Sequence, residues 1–205
     1  MLWNRSLVMQ DEETGSLWSH ILGEAMRGPL KGRELTPIPG AMTDWKTWRE
    51  GHPDTTVVML SRTSKNYRRE FYKKPARFVL GVLEGGEAAS YPFDALTRHP
   101  VVNDELGDEL LLIVFLPDSK TAMVYRRTLG EKKRLLTFES RDGEVFDRET
   151  SSRWDPLTGR ALAGKLKGKR LTPVPGVVSY RRIWEAFHPE TRVWKSEEKK
   201  TEKKD

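Results

Sequence analysis

Apolar residues along the chain fall in short runs, many with a period of two, which predicts strands more often than helices. The longest run, ELLLIVFL at Glu109–Leu116, has the length of a buried strand. Residues 77–91 (RFVLGVLEGGEAASY) predict a hairpin that turns at Gly85 and Gly86. The stretches TTVVML, TAMVYRR and RLLTFES predict further strands. TDWKTWRE (residues 43–50) predicts a short helix with Thr43 as its N-cap.

One part of the amino-acid sequence occurs twice in the chain. GPLKGRELTPIPG (residues 28–40) returns as GKLKGKRLTPVPG (residues 164–176), and the match extends without a gap from residues 11–57 to residues 147–193. Roughly 20 of the 47 aligned positions are identical, far above chance, so the chain contains an internal duplication. Most retained residues are Gly, Pro and Trp, which determine turns and fill cores, so the duplication predicts a shared fold before a shared active site.

The two copies also predict which side chains are buried. Leu17 and Ser19 of the first copy become Arg153 and Asp155 in the second. With a period of two, Arg153 and Asp155 face water, so the tryptophan between them, Trp154, faces inward and its counterpart Trp18 does too. The same period places His20 on the Trp18 face.

Together these elements predict a mainly β fold, a β-rich α+β protein of two related, interlocked repeat units with a few short helices. Only the second copy has a long strand-rich lead-in, so the first unit is interpreted as a truncated repeat over residues 1–62. A basic linker over residues 63–77, a complete second unit over residues 78–194 and a disordered charged tail over residues 195–205 follow. The half unit leaves an open sheet edge that needs cover from the second unit or from another chain.

The amino-acid composition excludes several kinds of functional site. The 205-residue chain has a net charge of +6 and no cysteine, which excludes disulfides, thiolate metal sites and cysteine nucleophiles. No two histidines have a spacing typical of a compact metal site, and no metal or cofactor is predicted. The chain lacks the hydrolase, zinc-protease and dinucleotide signatures.

No secretion signal or membrane span is evident, so the sequence as written predicts a cytoplasmic protein, or an extracytoplasmic one if the natural start lies upstream.

Three side chains are the candidate catalytic residues: His20, Asp11 and Glu13. His20 is replaced by Pro156 in the second copy, and a histidine near two carboxylates is suited to acid–base chemistry. The alternative is a structural histidine at the edge of the core. For the carboxylates the alternative is a turn in which Asp and Thr cap the backbone, and their retention in both copies favours it.

Aromatic and basic residues alternate over residues 65–78, as in surfaces that bind single-stranded nucleic acid. No nucleic-acid fold motif accompanies them, so a solvated linker is favoured over nucleic acid as a partner. The candidate binding residues are Trp18, Tyr67, Arg68, Arg69 and Tyr72.

Several segments resemble the prokaryotic domain-of-unknown-function family numbered 3179, namely LWNRSLVMQDEETGSLW, GEAMRGPLKGREL, WKTWREGHPDTTVV and FVLGVLEGGEAASYPFDAL. The resemblance covers about residues 2–194. It implies a protein whose biochemical role is not established, in a family with many secreted or membrane-anchored members. Members usually carry a Cys-Pro-x-Cys-Gly segment upstream of the part matching Leu2, and this chain has no such segment.

Three functions follow from these observations. The first is a β-rich binding or scaffold module that holds an unidentified ligand in a groove between the two repeat units. The second is an enzyme, such as a hydrolase, with an unrecognised site near Asp11, Glu13, Trp18 and His20. The third is a nucleic-acid binder through residues 65–77. A homodimer that covers the open sheet edge is a further expectation.

Overall fold

The computed structural model describes residues 2–58, 73–131 and 133–196. The fold is mainly β, with two related, interlocked repeat units and, among the described residues, three short α-helices. The first unit begins with an antiparallel sheet in chain order, which consists of β1 (Leu2–Trp3), β2 (Ser6–Gln10), β3 (Leu17–Ser19) and β4 (Glu24–Arg27). After this first-unit sheet the chain reaches α1 (Trp45–Gly51).

The second unit opens with a strand-rich lead-in. A 3₁₀ turn at Pro75–Arg77 precedes β5 (Phe78–Glu84), β6 (Glu87–Pro92), α2 (Phe93–Arg98), β7 (Val101–Leu106), β8 (Glu109–Leu116) and β9 (Thr121–Arg126). A small hairpin follows, formed by β10 (Thr128–Leu129) and β11 (Arg134–Leu135). The duplicated part then supplies β12 (Phe138–Arg141), β13 (Glu144–Asp147), β14 (Arg153–Trp154), β15 (Ala161–Ala163), β16 (Pro173–Val174), β17 (Val177–Tyr180), α3 (Arg181–Phe187) and β18 (Arg192–Val193).

The second unit has three stacked sheets. An outer sheet has the order β17-β5-β6-β18, a central sheet has the order β16-β9-β8-β7, and β12–β15 form a meander that repeats the first-unit sheet. Strand β8 explains the stacking, because Leu111, Ile113 and Phe115 pack toward the outer sheet while Leu112 and Val114 pack toward the meander. Its unbroken apolar sequence therefore reflects burial on both faces.

The helix of each unit packs against the other unit. Leu157, in the loop after β14, lies in the core between the central sheet and the meander, and Trp48 of α1 packs against that core. A methyl group built at Gly51, the last residue of α1, would lie 3.1 Å from Leu157. The counterpart of Leu157 in the first unit, Ile21, lies in a core cluster with Trp184 of α3. Each unit thus packs the loop after its tryptophan strand against the other unit's helix, which is the interlocking that the sequence predicts.

Helix α3 approaches the outer sheet closely. Trp184 is fully buried, and a methyl group at Gly81 of β5 would lie 2.3 Å from its ring. The glycine in the middle of β5 is therefore required by the tryptophan that covers it. The first-unit sheet lies on the same side, where Trp3 meets Phe187 edge to face at 4.8 Å between ring centroids.

Three local predictions need correction. The N-cap of α1 is Asp44, whose carboxylate accepts from the backbone N–H of Thr47 at 2.9 Å, and not Thr43. Residues 55–58 form no strand, because the partner sheet of the second unit has no counterpart in the first; residues 59–60 of the predicted strand lie outside the described residues. The stretch RLLTFES divides into β11 and β12. The hairpin at Gly85 and Gly86 is confirmed.

Candidate functional site

The carboxylate of Asp11 is part of a hydrogen-bonded turn between β2 and β3. Its Oδ2 accepts from the indole Nε1 of Trp18 at 2.8 Å, and its Oδ1 accepts from the backbone N–H of Thr14 at 2.6 Å. The Thr14 hydroxyl donates to the same carboxylate at 2.8 Å. The Trp18 bond, followed by the Thr14 backbone bond, lowers the pKa of Asp11 to about 2. Such a carboxylate is a weak proton acceptor near neutral pH.

The second unit repeats this network. Asp147 accepts from the Trp154 indole at 2.9 Å, from the Thr150 backbone N–H at 2.6 Å and from the Thr150 hydroxyl at 2.7 Å. Asp147 is fully buried, and Ser152 N–H donates to it at 3.1 Å. The same residues therefore close the same turn in both units, as the structural alternative for these carboxylates predicts.

A serine joins each turn to the glycine-rich segment. The backbone N–H of Leu30 donates to the Ser16 hydroxyl at 3.1 Å, and Leu166 donates to Ser152 at 3.0 Å. A methyl group at Gly28 would lie 2.7 Å from the Cα of Ser16, and φ there is +101°. Two features therefore require glycine at position 28: the close approach of Ser16 and the left-handed backbone conformation. This contact explains why the glycine survives in both copies.

His20 lies outside the Trp18 network. β3 ends at Ser19 and the His20 side chain is exposed, so its position on the Trp18 face stays a prediction. The chain turns here, since the Ser19 hydroxyl accepts from the backbone N–H of Leu22 at 3.2 Å. The His20 ring lies 2.9 Å from the carbonyl oxygen of Leu7. The period of two therefore ends one residue before the histidine.

The candidate catalytic residues are close in sequence, but the described contacts do not join them. Glu13 is exposed, and no hydrogen bond or ion pair of the described residues links His20 to Asp11 or Glu13. Within residues 2–58, 73–131 and 133–196, no three His, Asp or Glu side chains cluster as a metal site would require. The assignment of a catalytic role to these residues stays a prediction.

The candidate binding residues divide into two groups. Trp18 is buried at 8 % exposure and its indole is bonded to Asp11, so it presents little surface to a ligand. Tyr67, Arg68, Arg69 and Tyr72 lie outside the described residues. At the end of the proposed linker, the Arg77 guanidinium lies 5.4 Å from the centroid of the Tyr180 ring.

The matched histidines cap matched helices. His52 stacks on Trp48 at 4.0 Å between ring centroids, and His188 packs on Trp184 at 4.1 Å. Each tryptophan donates its indole N–H to the threonine after the turn, at 3.0 Å to Thr55 and at 2.8 Å to Thr191. Burial lowers the pKa of His188. The His-Pro segments therefore form helix-ending turns.

A pocket lies between the two units and was not assigned to residues by sequence reasoning. Its volume is about 290 Å³. Three of its residues come from the first unit, Gly40, Ala41 and Met42, and the equivalent residues of the second unit, Gly176, Val177 and Val178, line it too. The remaining lining residues are apolar and belong to β5, β9 and β16: Leu80, Ala122, Met123, Val124 and Val174. The repeated LTPxPG sequence was the available signal, because it leads into this pocket from both sides.

A family model described as "Protein of unknown function (DUF3179)" matches the chain twice, over residues 1–78 and over residues 72–204. The chain belongs to the DUF3179 family. The two matches correspond to the two repeat units, and the resemblance predicted from sequence is confirmed. Searches of curated proteins and of solved structures found no significant match to this DUF3179 chain. Among the described residues, no helix has the length and apolar character needed to cross a membrane.

Proposed function

We propose that this DUF3179 chain is a binding module that holds an apolar ligand in the pocket between its two units. The observation that carries the proposal is the matched wall, in which residues 40–42 and residues 176–178 contribute the same three repeat positions. Ligand sites occur preferentially at such junctions.

The lining limits the chemistry of the ligand. The eleven lining residues are glycine, alanine, valine, leucine or methionine, so the pocket offers no charged or hydrogen-bonding side chain. A volume of about 290 Å³ lies at the lower end of ligand sites and fits one aromatic or branched aliphatic group. The ligand is therefore expected to insert a small uncharged apolar group.

The two sides of the pocket differ in room. A methyl group at Gly176 would lie 2.9 Å from the Cδ1 of Leu80, so the second unit forms a tight wall. A methyl group at Gly40 would meet nothing within 4 Å. Met42, beside it, is 48 % exposed. The first-unit side is thus the open side, where a ligand would enter.

The test uses N-phenyl-1-naphthylamine, an uncharged dye whose fluorescence rises in apolar surroundings. We expect saturable binding by the full chain, weakened about tenfold in Met42→Asp because a carboxylate at the entrance must be desolvated. Leu83→Asp is the matched control, since Leu83 is 43 % exposed and does not line the pocket. Equal dye affinity in the two variants, or no saturable binding by the wild-type chain, would overturn the proposal.

The enzyme hypothesis around Asp11, Glu13, Trp18 and His20 and the nucleic-acid hypothesis around residues 65–77 stay predictions. The Asp11 contacts support a structural turn, and most residues of the nucleic-acid hypothesis lie outside the described residues.

A further inference from the structure

The segment between the first-unit sheet and α1 is unusual in having no sheet partner. Residues 36–43 form neither helix nor strand, and their backbone makes no hydrogen bond with another described backbone group. Buried backbone groups are almost always paired, with protein or with water. Ala41 and Thr43 are half-buried, so this segment has hydrogen-bonding capacity that its surroundings do not use.

The second unit shows what pairs with this segment when a partner is present. Its equivalent, β17 (Val177–Tyr180), pairs antiparallel with β5, with Val178 opposite Leu80 and Tyr180 opposite Phe78. Among the described residues, no strand pairs with residues 41–44. The duplication therefore identifies the missing neighbour of residues 41–44 as an antiparallel strand with the apolar character of β5.

The surface around this edge fits an uncharged strand. Residues 35–43 (LTPIPGAMT) contain no charge, although charged residues make up 32 % of the chain. Leu35 is 53 % exposed and Ile38 is 83 % exposed, whereas their counterparts Leu171 and Val174 are 2 % and 3 % exposed. The apolar side chains that the second unit buries under its lead-in are thus left open in the first.

The unpaired segment at residues 36–43 is continuous with the interface between the units. Thr121, the first residue of β9, donates its hydroxyl to Thr43 at 2.7 Å, and Ala41 packs against the core of the second unit. The pocket of about 290 Å³ opens beside the same residues. A strand added here would extend an existing interface and would bring one of its side chains to the pocket.

We infer that the first unit binds an extended, uncharged peptide strand that pairs antiparallel with residues 41–44 and inserts an aliphatic side chain into the inter-unit pocket. This inference rests on the proposed function, since it names the ligand class of the same pocket. Main-chain hydrogen bonds supply affinity in such strand addition, and the pocket supplies side-chain selectivity.

The experiment uses the full 205-residue chain and an acetylated, amidated peptide with the sequence of residues 78–83 (FVLGVL), the uncharged residues of β5. We expect the peptide to bind, to displace N-phenyl-1-naphthylamine and to shift the backbone amide resonances of residues 41–44. Met42→Asp should weaken peptide binding about tenfold, and Leu83→Asp should leave it unchanged.

Two N-methylated peptides distinguish strand pairing from simple adsorption. One carries N-methyl groups at the positions of Val79 and Gly81, the other at those of Leu80 and Val82. In an antiparallel pair only alternate N–H groups face the partner strand. We therefore expect one of these peptides to lose binding about tenfold or more and the other to retain it. Equal loss or equal retention would overturn strand addition.

Other outcomes separate the inference from the proposed function. If the dye binds and the peptide does not at about 1 mM, the inference fails while the apolar pocket stands. If sedimentation shows a dimer that Met42→Asp dissociates, a second copy occupies the edge and the peptide is not its partner. If neither dye nor peptide binds, both the inference and the proposed function fail.

Discussion

The two repeat units share the same aspartate–tryptophan turn, but other strands bury that turn to different extents. Trp18 and Trp154 each donate an indole N–H to an aspartate, at 2.8 and 2.9 Å, and each aspartate accepts from the threonine three residues on. Yet Trp154 belongs to the core between the central sheet and the meander, and no core cluster of the described residues contains Trp18.

The difference comes from the lead-in at residues 78–126. In the second unit its strands β8 and β9 bury the meander, and β5 pairs with β17. The first unit has the meander and the segment after it without those strands. Ten of the thirteen exposed large hydrophobic residues in the described part of the chain accordingly lie in the first unit: Leu2, Trp3, Leu7, Met9, Leu35, Ile38, Met42, Trp45, Val57 and Val58. Local geometry therefore follows local sequence, and burial in the second unit depends on the strands at residues 78–126.

Replacement of the core tryptophan tests this contrast most strongly. Trp154→Ala is expected to lower the free energy of unfolding by about 3–5 kcal/mol, because it leaves a cavity and removes a donor from buried Asp147. Trp18→Ala should cost less, about 1–3 kcal/mol, since fewer side chains pack around it. Urea unfolding of both variants measures the difference.

Trp45→Ala is the control for these variants, because Trp45 is 51 % exposed and its removal should change the free energy of unfolding little. Equal losses for Trp154→Ala and Trp18→Ala would show that the first-unit tryptophan is as well covered as the second, and the contrast between the units would be wrong.

Much of the architecture could be predicted from the sequence because it depends on local or repeated signals. The β-rich class, the buried Trp18 and Trp154, the hairpin at Gly85 and Gly86 and the double-copy organisation follow from periodicity, turn residues and self-similarity. The strand at Glu109–Leu116 was predicted from its length and apolar composition alone.

What the sequence missed depends on contacts between distant segments or on a single turn. The exposure of His20 depends on the turn that begins at Ser19, whose hydroxyl accepts from the backbone N–H of Leu22. The pocket combines Gly40 and Gly176, which are far apart in the chain and come together only when the units interlock. The boundaries proposed for the linker and the tail stay predictions, and most of those residues lie outside the described part of the chain.

A matched pair of leucines tests the difference in cover with a smaller change. Leu171→Ala is expected to lower the free energy of unfolding by about 2–5 kcal/mol, because Leu171 is 2 % exposed and belongs to the same core as Trp154. Leu35→Ala, at the equivalent repeat position, should stay within about 0.5 kcal/mol. Comparable losses, measured by thermal or urea unfolding, would mean that Leu35 is covered in solution, and a concentration-dependent loss would identify a second copy as the cover.

The smallest expected effect concerns the aspartate of the open unit. The pKa of Asp11 is lowered to about 2 in the folded chain by the bonds from Trp18 and Thr14, against an ordinary value of 3.8. Its ionised form therefore adds stability that is fully present above about pH 4 and is lost as the pH falls toward 2. In Asp11→Asn this contribution is absent at every pH. The difference in thermal midpoint between wild type and Asp11→Asn should thus be constant above about pH 5 and shrink below pH 4.

Glu12→Gln, an exposed neighbour in the same turn, serves as the control. A difference that stays constant down to pH 2 would show that the Trp18 and Thr14 bonds do not distinguish the ionised carboxylate, and that the first-unit turn is held by its backbone alone.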